Sequence, residues 1–232
     1  MQIKTMGGVS MEKDILALKA IPSSEAVMLN VVGCVMPNGV LVNYATYQEN
    51  KPKTYANYIY VWKTTSPDIP WGTTPVGKDA VATDTPVSTQ QLDFPFEVGQ
   101  DYIIGYAVGA DPNAVCATVY VPADSIKDPT KYVSNNISLQ FVYVGNNIVQ
   151  IRFTGLGNYS PVANKNWVGI WQMDHVPYKG DPLAKVSIAS SSSSGIAVLQ
   201  GVQIVVGSVY SVGYFMTDAG STSLAARVTF RT

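Results

Sequence analysis

One histidine, His175, and two cysteines, Cys34 and Cys116, are the chain's whole supply of imidazole and thiol groups. A Ser–His–Asp or Cys–His set would have to use His175 as its base. Asp174 adjoins it, but neighbours on an extended chain point to opposite sides, and no Gly-x-Ser-x-Gly turn is there to present a serine. Zinc needs thiolates and imidazoles at close spacing, whereas these cysteines lie far apart with the histidine farther on. Calcium needs clustered carboxylates with glycine between them; Asp111 and Asp218 each stand alone and read as turn formers. Gly155-Leu156-Gly157 lacks the third glycine of a dinucleotide fingerprint and opens no helix, and no phosphate-binding loop occurs. The expectation is a non-enzymatic chain without cofactor or metal, with a hydrolase built on His175 as the outlying alternative.

Binding chemistry has a better candidate. Ile69-Pro70-Trp71 with Pro75 returns as Val176-Pro177-Tyr178 with Pro182. A preceding proline restricts the backbone, so Trp71 and Tyr178 are candidate stacking platforms for a sugar ring or a partner's apolar side chain. The competing expectation is that both rings fold back and plug the end of their own core.

These loops belong to a longer internal match. Val98-Gly99-x-x-Tyr102-x-x-Gly105-Tyr106 recurs as Val206-Gly207-x-x-Tyr210-x-x-Gly213-Tyr214. Asn57 to Trp62 aligns with Asn166 to Trp171, and Asn38-x-Val40-x-Val42-x-Tyr44 with Asn147-x-Val149-x-Ile151-x-Phe153. The offset stays at 107 to 109 residues throughout, a domain-sized period rather than that of a solenoid. Cys34 and Cys116 both fall in the first copy, opposite Tyr143 and Ala225. Buried free thiols are the expectation; a disulfide would require the first and last strands of that domain to be neighbours.

The elements that must position these residues are strands. Runs of alternating β-branched and aromatic residues, punctuated by Gly, Pro, Asn and Ser, fall near 27–36, 39–47, 57–64, 78–83, 87–96, 101–109 and 115–122. In the second copy they fall near 138–145, 147–154, 166–173, 184–190, 195–206, 208–217 and 223–231. Met36-Pro37-Asn38-Gly39 is a tight-turn signal, and the serine run from Ser190 to Ser194 reads as a flexible connection. This pattern predicts an all-β protein of two tandem immunoglobulin-like antiparallel β-sandwiches. The boundaries are an N-terminal arm over 1–25, a first sandwich over 26–122, a polar linker over 123–136 and a second sandwich over 137–232. Met11 to Lys19 within the arm could be a short helix or an added strand. Trp62 and Trp171 take the place where such sandwiches bury a large aromatic.

Asn166-Trp167-Val168-Gly169-Ile170-Trp171, followed by Tyr210-Ser211-Val212-Gly213-Tyr214-Phe215 and a terminal strand, resembles the signatures of SKICH-like immunoglobulin sandwiches. That resemblance implies a non-catalytic fold of protein-interaction type and assigns no functional residue.

Charged residues make up 13% of the chain, about half the share usual in soluble proteins. Little charge means little repulsion between subunits, so a homo-oligomer or a protein partner is expected. The net charge of −1, with no basic cluster longer than Lys51-Pro52-Lys53, argues against nucleic acid. No apolar run is long enough for a transmembrane span. No signal peptide is evident, so a cytoplasmic location is the default, or an extracellular one if the chain is a processed form. The expected function is that of a structural or interaction protein that self-associates. The alternative is a lectin-like glycan binder with one site per repeat, at Trp71 and Tyr178.

Overall fold

The computed structural model describes residues 23–218 and 220–232. The Met11 to Lys19 segment lies outside them, as does all of the N-terminal arm except its last residues. The protein is all-β. Its strands are β1 (Ser23–Ala26), β2 (Met28–Val31), β3 (Val40–Ala45), β4 (Tyr58–Thr64), β5 (Gly77–Ala80), β6 (Val87–Leu92), β7 (Asp101–Ala107) and β8 (Val115–Val121). There follow β9 (Val133–Asn136), β10 (Ser138–Gly145), β11 (Ile148–Thr154), β12 (Trp167–Trp171), β13 (Ala184–Ser187), β14 (Ser194–Gln200), β15 (Val209–Phe215) and β16 (Leu224–Arg231).

Side-chain alternation sets the faces. Val40, Val42 and Tyr44 of β3 are buried while Leu41 and Asn43 face out, and Val149, Ile151 and Phe153 of β11 repeat the pattern around Arg152. Met36 and Gly39 exchange backbone hydrogen bonds at 2.9 and 3.1 Å and close the predicted turn. Several strands end earlier than their residue runs suggest, two of them by five residues or more. The 27–36 run stops at Val31 and the 195–206 run at Gln200, because Gly33 and Gly201 both take φ of 76°, which bends the chain out of the ladder.

Four antiparallel sheets result, with orders β2-β3-β6 and β5-β4-β7-β8-β9 in the first half and β10-β11-β14 and β13-β12-β15-β16-β1 in the second. Within each half a three-stranded sheet packs on a five-stranded one. Tyr44 meets Tyr106 across the first sandwich with ring centroids 5.2 Å apart, and Phe153 meets Tyr214 across the second at 5.5 Å. Buried amides tie the same strands: the Tyr106 hydroxyl donates to Asn57 Oδ1 at 3.1 Å, and Asn166 Nδ2 donates to the Tyr214 hydroxyl at 2.9 Å.

The fifth strand of each large sheet comes from the other end of the neighbouring sandwich. β1 leads directly into β2 of the first half yet pairs with β16 of the second, Glu25 opposite Arg227. β9 leads into β10 of the second half yet pairs with β8 of the first, Asn135 opposite Thr118. Residues 123–136 therefore hold two short 3-10 turns and one strand of the first sandwich. No helix among the described residues is long and apolar enough to cross a membrane.

Candidate functional site

The two Pro-aromatic loops each lean on the opposite half of the molecule. Trp71 is half-buried; its indole N–H donates to the Gly157 carbonyl at 2.9 Å and its ring lies 4.8 Å from that of Tyr159. Beside it Asn158 Nδ2 donates to the Asp68 carboxylate at 3.0 Å. A Cβ on Gly157 would land on that same carboxylate, so the bare backbone lets Asp68 lie where it does. The loop is held to its own sandwich by the Trp62 indole, which donates to the Thr73 carbonyl at 3.4 Å.

Tyr178 is 5% exposed and stacks on Tyr55 of the first half, with centroids 5.5 Å apart and planes 4° from parallel. Next to it the Tyr47 hydroxyl donates toward the carbonyls of Glu25 at 3.0 Å and Ala225 at 3.3 Å. The Arg227 guanidinium lies over the Tyr47 ring at 4.9 Å and bonds the Glu25 carboxylate at 2.8 and 3.1 Å. Burial pushes the Tyr47 and Tyr178 phenols well above the usual range. The structure thus sets Trp71 and Tyr178 as two clasps along the seam between the sandwiches, rather than as plugs of their own cores, and it does not bring them together.

The residues weighed for catalysis are dispersed. His175 Nδ1 lies 2.8 Å from Asp174 Oδ1, a correction to the expectation that the two point apart, because this stretch is a bend rather than extended chain. Both side chains are open to solvent, and the histidine's bond holds the Asp174 carboxyl below its usual range. No hydroxyl or thiol among the described residues hydrogen-bonds the ring. Cys34 and Cys116 are free thiols; Cys34 donates to the Lys127 carbonyl at 3.0 Å, while Cys116 is fully buried and desolvation raises its thiol strongly. Asp111 caps a 3-10 turn by accepting from the Asn113 N–H at 2.9 Å, and Asp218 pairs with Lys165 at 2.9 Å. Among the described residues no three His, Cys, Asp or Glu side chains cluster as a metal would need.

A cavity that sequence reasoning missed lies on the outer face of the second five-stranded sheet. It encloses about 490 Å³ and is lined by Trp167, Lys185, Lys165, Asp218, Ser187 and Val162 among others. One face of Trp167 stacks on Phe215 at 3.8 Å and 6°, its indole N–H donates to the Thr217 carbonyl at 3.0 Å, and Lys185 Nζ sits 5.9 Å from its centroid. The ring is therefore held in place on its sheet, with a cation on hand. Gly169 makes room for it: a Cβ there would come within 2.8 Å of both Trp167 and Trp171. The signal was the Trp-x-Gly-x-Trp spacing, which the first half lacks because Tyr60 stands at the glycine's place.

No family model matches the chain, and no curated protein matches it. Among solved structures it is similar to a DUF3823 family protein from Bacteroides uniformis, at 11% identity over 88% of this chain and 96% of that one, with a TM-score of 0.29.

Proposed function

We propose that the protein is a non-enzymatic structural or interaction protein that associates with further copies of itself. The observation that carries this reading is the outer face of the β2-β3-β6 sheet. Its outward residues Met28, Asn30, Leu41, Asn43, Val87, Thr89 and Gln91 include no charge, and Met28 and Val87 are 49% and 64% exposed. Such a face loses little by desolvation when another surface covers it. The interlock of β1 and β9 supports the same reading, because a body tied at both sheets docks without paying to order itself first. The exposed Asp174–His175 pair, with no nucleophile bonded to it, supports the non-enzymatic part. Light scattering behind size exclusion at two concentrations, with a pull-down, tests it. A strict monomer with no partner sinks it.

A glycan-binding reading is favoured by one observation, the Trp167 cavity with its pinned ring and Lys185 cation. It is not favoured at the matched loops, since a sugar platform needs an open ring face and Tyr178 is covered by Tyr55. A glycan array run with Trp167→Ala, Trp71→Ala and Tyr178→Ala separates the sites. Binding that survives Trp167→Ala removes this assignment.

A further inference from the structure

Open sheet edges attract other chains, and proteins blunt them with short strands, charge, proline or bulges. Edges β1, β5, β9 and β13 are four residues long, and β5 and β13 also carry Lys78, Asp79 and Lys185. β10 is bulged between Phe141 and Tyr143. Over β2 lies Ser134, whose hydroxyl donates to the Leu29 carbonyl at 3.4 Å. β6 is bracketed by Asp84 and Asp93, which an antiparallel pairing of two copies would bring together.

Among the described residues β14 has none of these devices. It is seven residues long, Ser-Gly-Ile-Ala-Val-Leu-Gln, without charge or proline. Its pairing with β11 fixes which backbone groups are left over. Gly155 N–H donates to the Ser193 carbonyl at 2.7 Å and Gly201 N–H to the Asn147 carbonyl at 3.1 Å, just beyond the two ends of that ladder. Alternation then turns the N–H and C=O of Gly195, Ala197 and Leu199 toward β11 and those of Ser194, Ile196, Val198 and Gln200 outward.

We infer that β14 is the contact by which two copies associate, pairing antiparallel with β14 of a second copy about a two-fold axis through Ala197. This rests on the self-association reading and adds a second contact, an open strand edge, to the uncharged β2-β3-β6 face. In that register the outward-turned groups of Ile196 face those of Val198 of the other copy, and Ser194 faces Gln200. Both three-stranded sheets join into one, and Ile196, 50% exposed, gains an apolar neighbour across the axis. The contact is isologous, so it closes as a dimer.

The test uses the full chain. Wild type is expected to run as a dimer that dissociates on dilution, and Ile196→Lys/Val198→Lys as a monomer with unchanged circular dichroism, since the register sets the new lysines directly opposite one another. Ile196→Cys and Val198→Cys chains, each in a Cys34→Ser background, are mixed and oxidised. Hydrogen-bonded partners lie about 5.5 Å apart at Cα, within disulfide range. The mixture is therefore expected to cross-link, and neither variant alone. Wild-type association that persists in the lysine variant, or a mixture that does not cross-link while wild type is dimeric, overturns the β14 contact and leaves self-association standing. A wild type monomeric at every concentration overturns both. If the lysine variant misfolds, the cysteine mixture decides.

Discussion

Val27 and Ile137 hold the same position in the two halves of the chain. Each is fully buried, Val27 sends its backbone N–H to the Ala225 carbonyl, and Ile137 sends its own to the Cys116 carbonyl, both at 3.1 Å. At each residue the chain passes from one sandwich into the other: β1 before Val27 completes the second, and β9 before Ile137 completes the first. The edge that would be open on each large sheet is covered by a strand tethered to the neighbouring core.

Such reciprocity is expected to make the two sandwiches unfold as one unit. Val27→Ala is expected to cost about 2 kcal/mol through lost methyl burial and the cavity left behind. Urea unfolding followed by tryptophan fluorescence and by far-ultraviolet circular dichroism is expected to give superimposable single transitions in both wild type and variant. Two resolved steps, only one of them shifted by the substitution, would show the halves to be independent.

The contact beside the Trp71 clasp depends on a bare backbone at Gly157. Gly157→Ala is expected to destabilise by about 1–3 kcal/mol, because the new methyl must displace the Asp68 carboxylate and with it the Asn158 hydrogen bond. Trp71→Phe removes the indole N–H together with the five-membered ring that carries it, at about 1–2 kcal/mol from the lost hydrogen bond and contact with Tyr159. Equilibrium denaturation ranks the two, and the reverse order would show that the indole rather than the close approach at Gly157 holds the seam.

Much of the fold was legible because strand alternation and turn residues are local signals. Val40-Leu41-Val42-Asn43-Tyr44 declares its two faces within five residues, and Asn38-Gly39 announces the turn before it. The exchange of β1 and β9 was not legible, since Val133-Ser134-Asn135-Asn136 shows no apolar alternation, is exposed along its length and is bound to the first sandwich by backbone pairing with β8 and a single Ser134 hydroxyl. Backbone pairing leaves no mark on residue type at an edge. The matched Trp71 and Tyr178 loops were visible as positions, but their packing on Gly157 and Tyr55 depends on how the halves dock, which no spacing within one half encodes.

Tyr178 and Tyr159 separate the two costs of a buried phenol. The Tyr178 hydroxyl is buried with no hydrogen-bond partner among the described residues, whereas that of Tyr159 lies 2.9 Å from both the Asn113 carbonyl and Asn166 Oδ1. Tyr178→Phe is expected to be neutral or to stabilise by up to about 1 kcal/mol, and Tyr159→Phe to cost about 1–3 kcal/mol by leaving buried acceptors unpaired. Equal losses in thermal melts of the two variants would refute the distinction.

The two thiols are expected to differ in reactivity. Cys34 is partly exposed, while Cys116 is fully buried and its thiolate is disfavoured by desolvation. Mass spectrometry after brief alkylation is expected to find one adduct, at Cys34, and the second only under denaturant. Modification of Cys116 in the native protein at a rate comparable to Cys34 would contradict its burial.

Alkaline pH acts on the same buried core. In an unfolded chain tyrosine ionises near 10, whereas burial raises Tyr47, Tyr106 and Tyr178 well above that and Tyr60 to about 12. Below pH 10 both states are protonated and the contribution of these phenols to stability is complete. Above it the unfolded chain sheds protons that the folded one keeps, so stability falls with rising pH, by about 1.4 kcal/mol per pH unit for each such residue, until the folded-state value is passed. Titration of the tyrosinate absorbance, run beside circular dichroism, is expected to show a reversible fraction of the fourteen tyrosines near pH 10 and the remainder only as the β-signal collapses. Ionisation of all of them near pH 10 with the β-signal intact would mean that these rings meet solvent, and that the first core around Tyr106 and the seam around Tyr47 and Tyr178 are open.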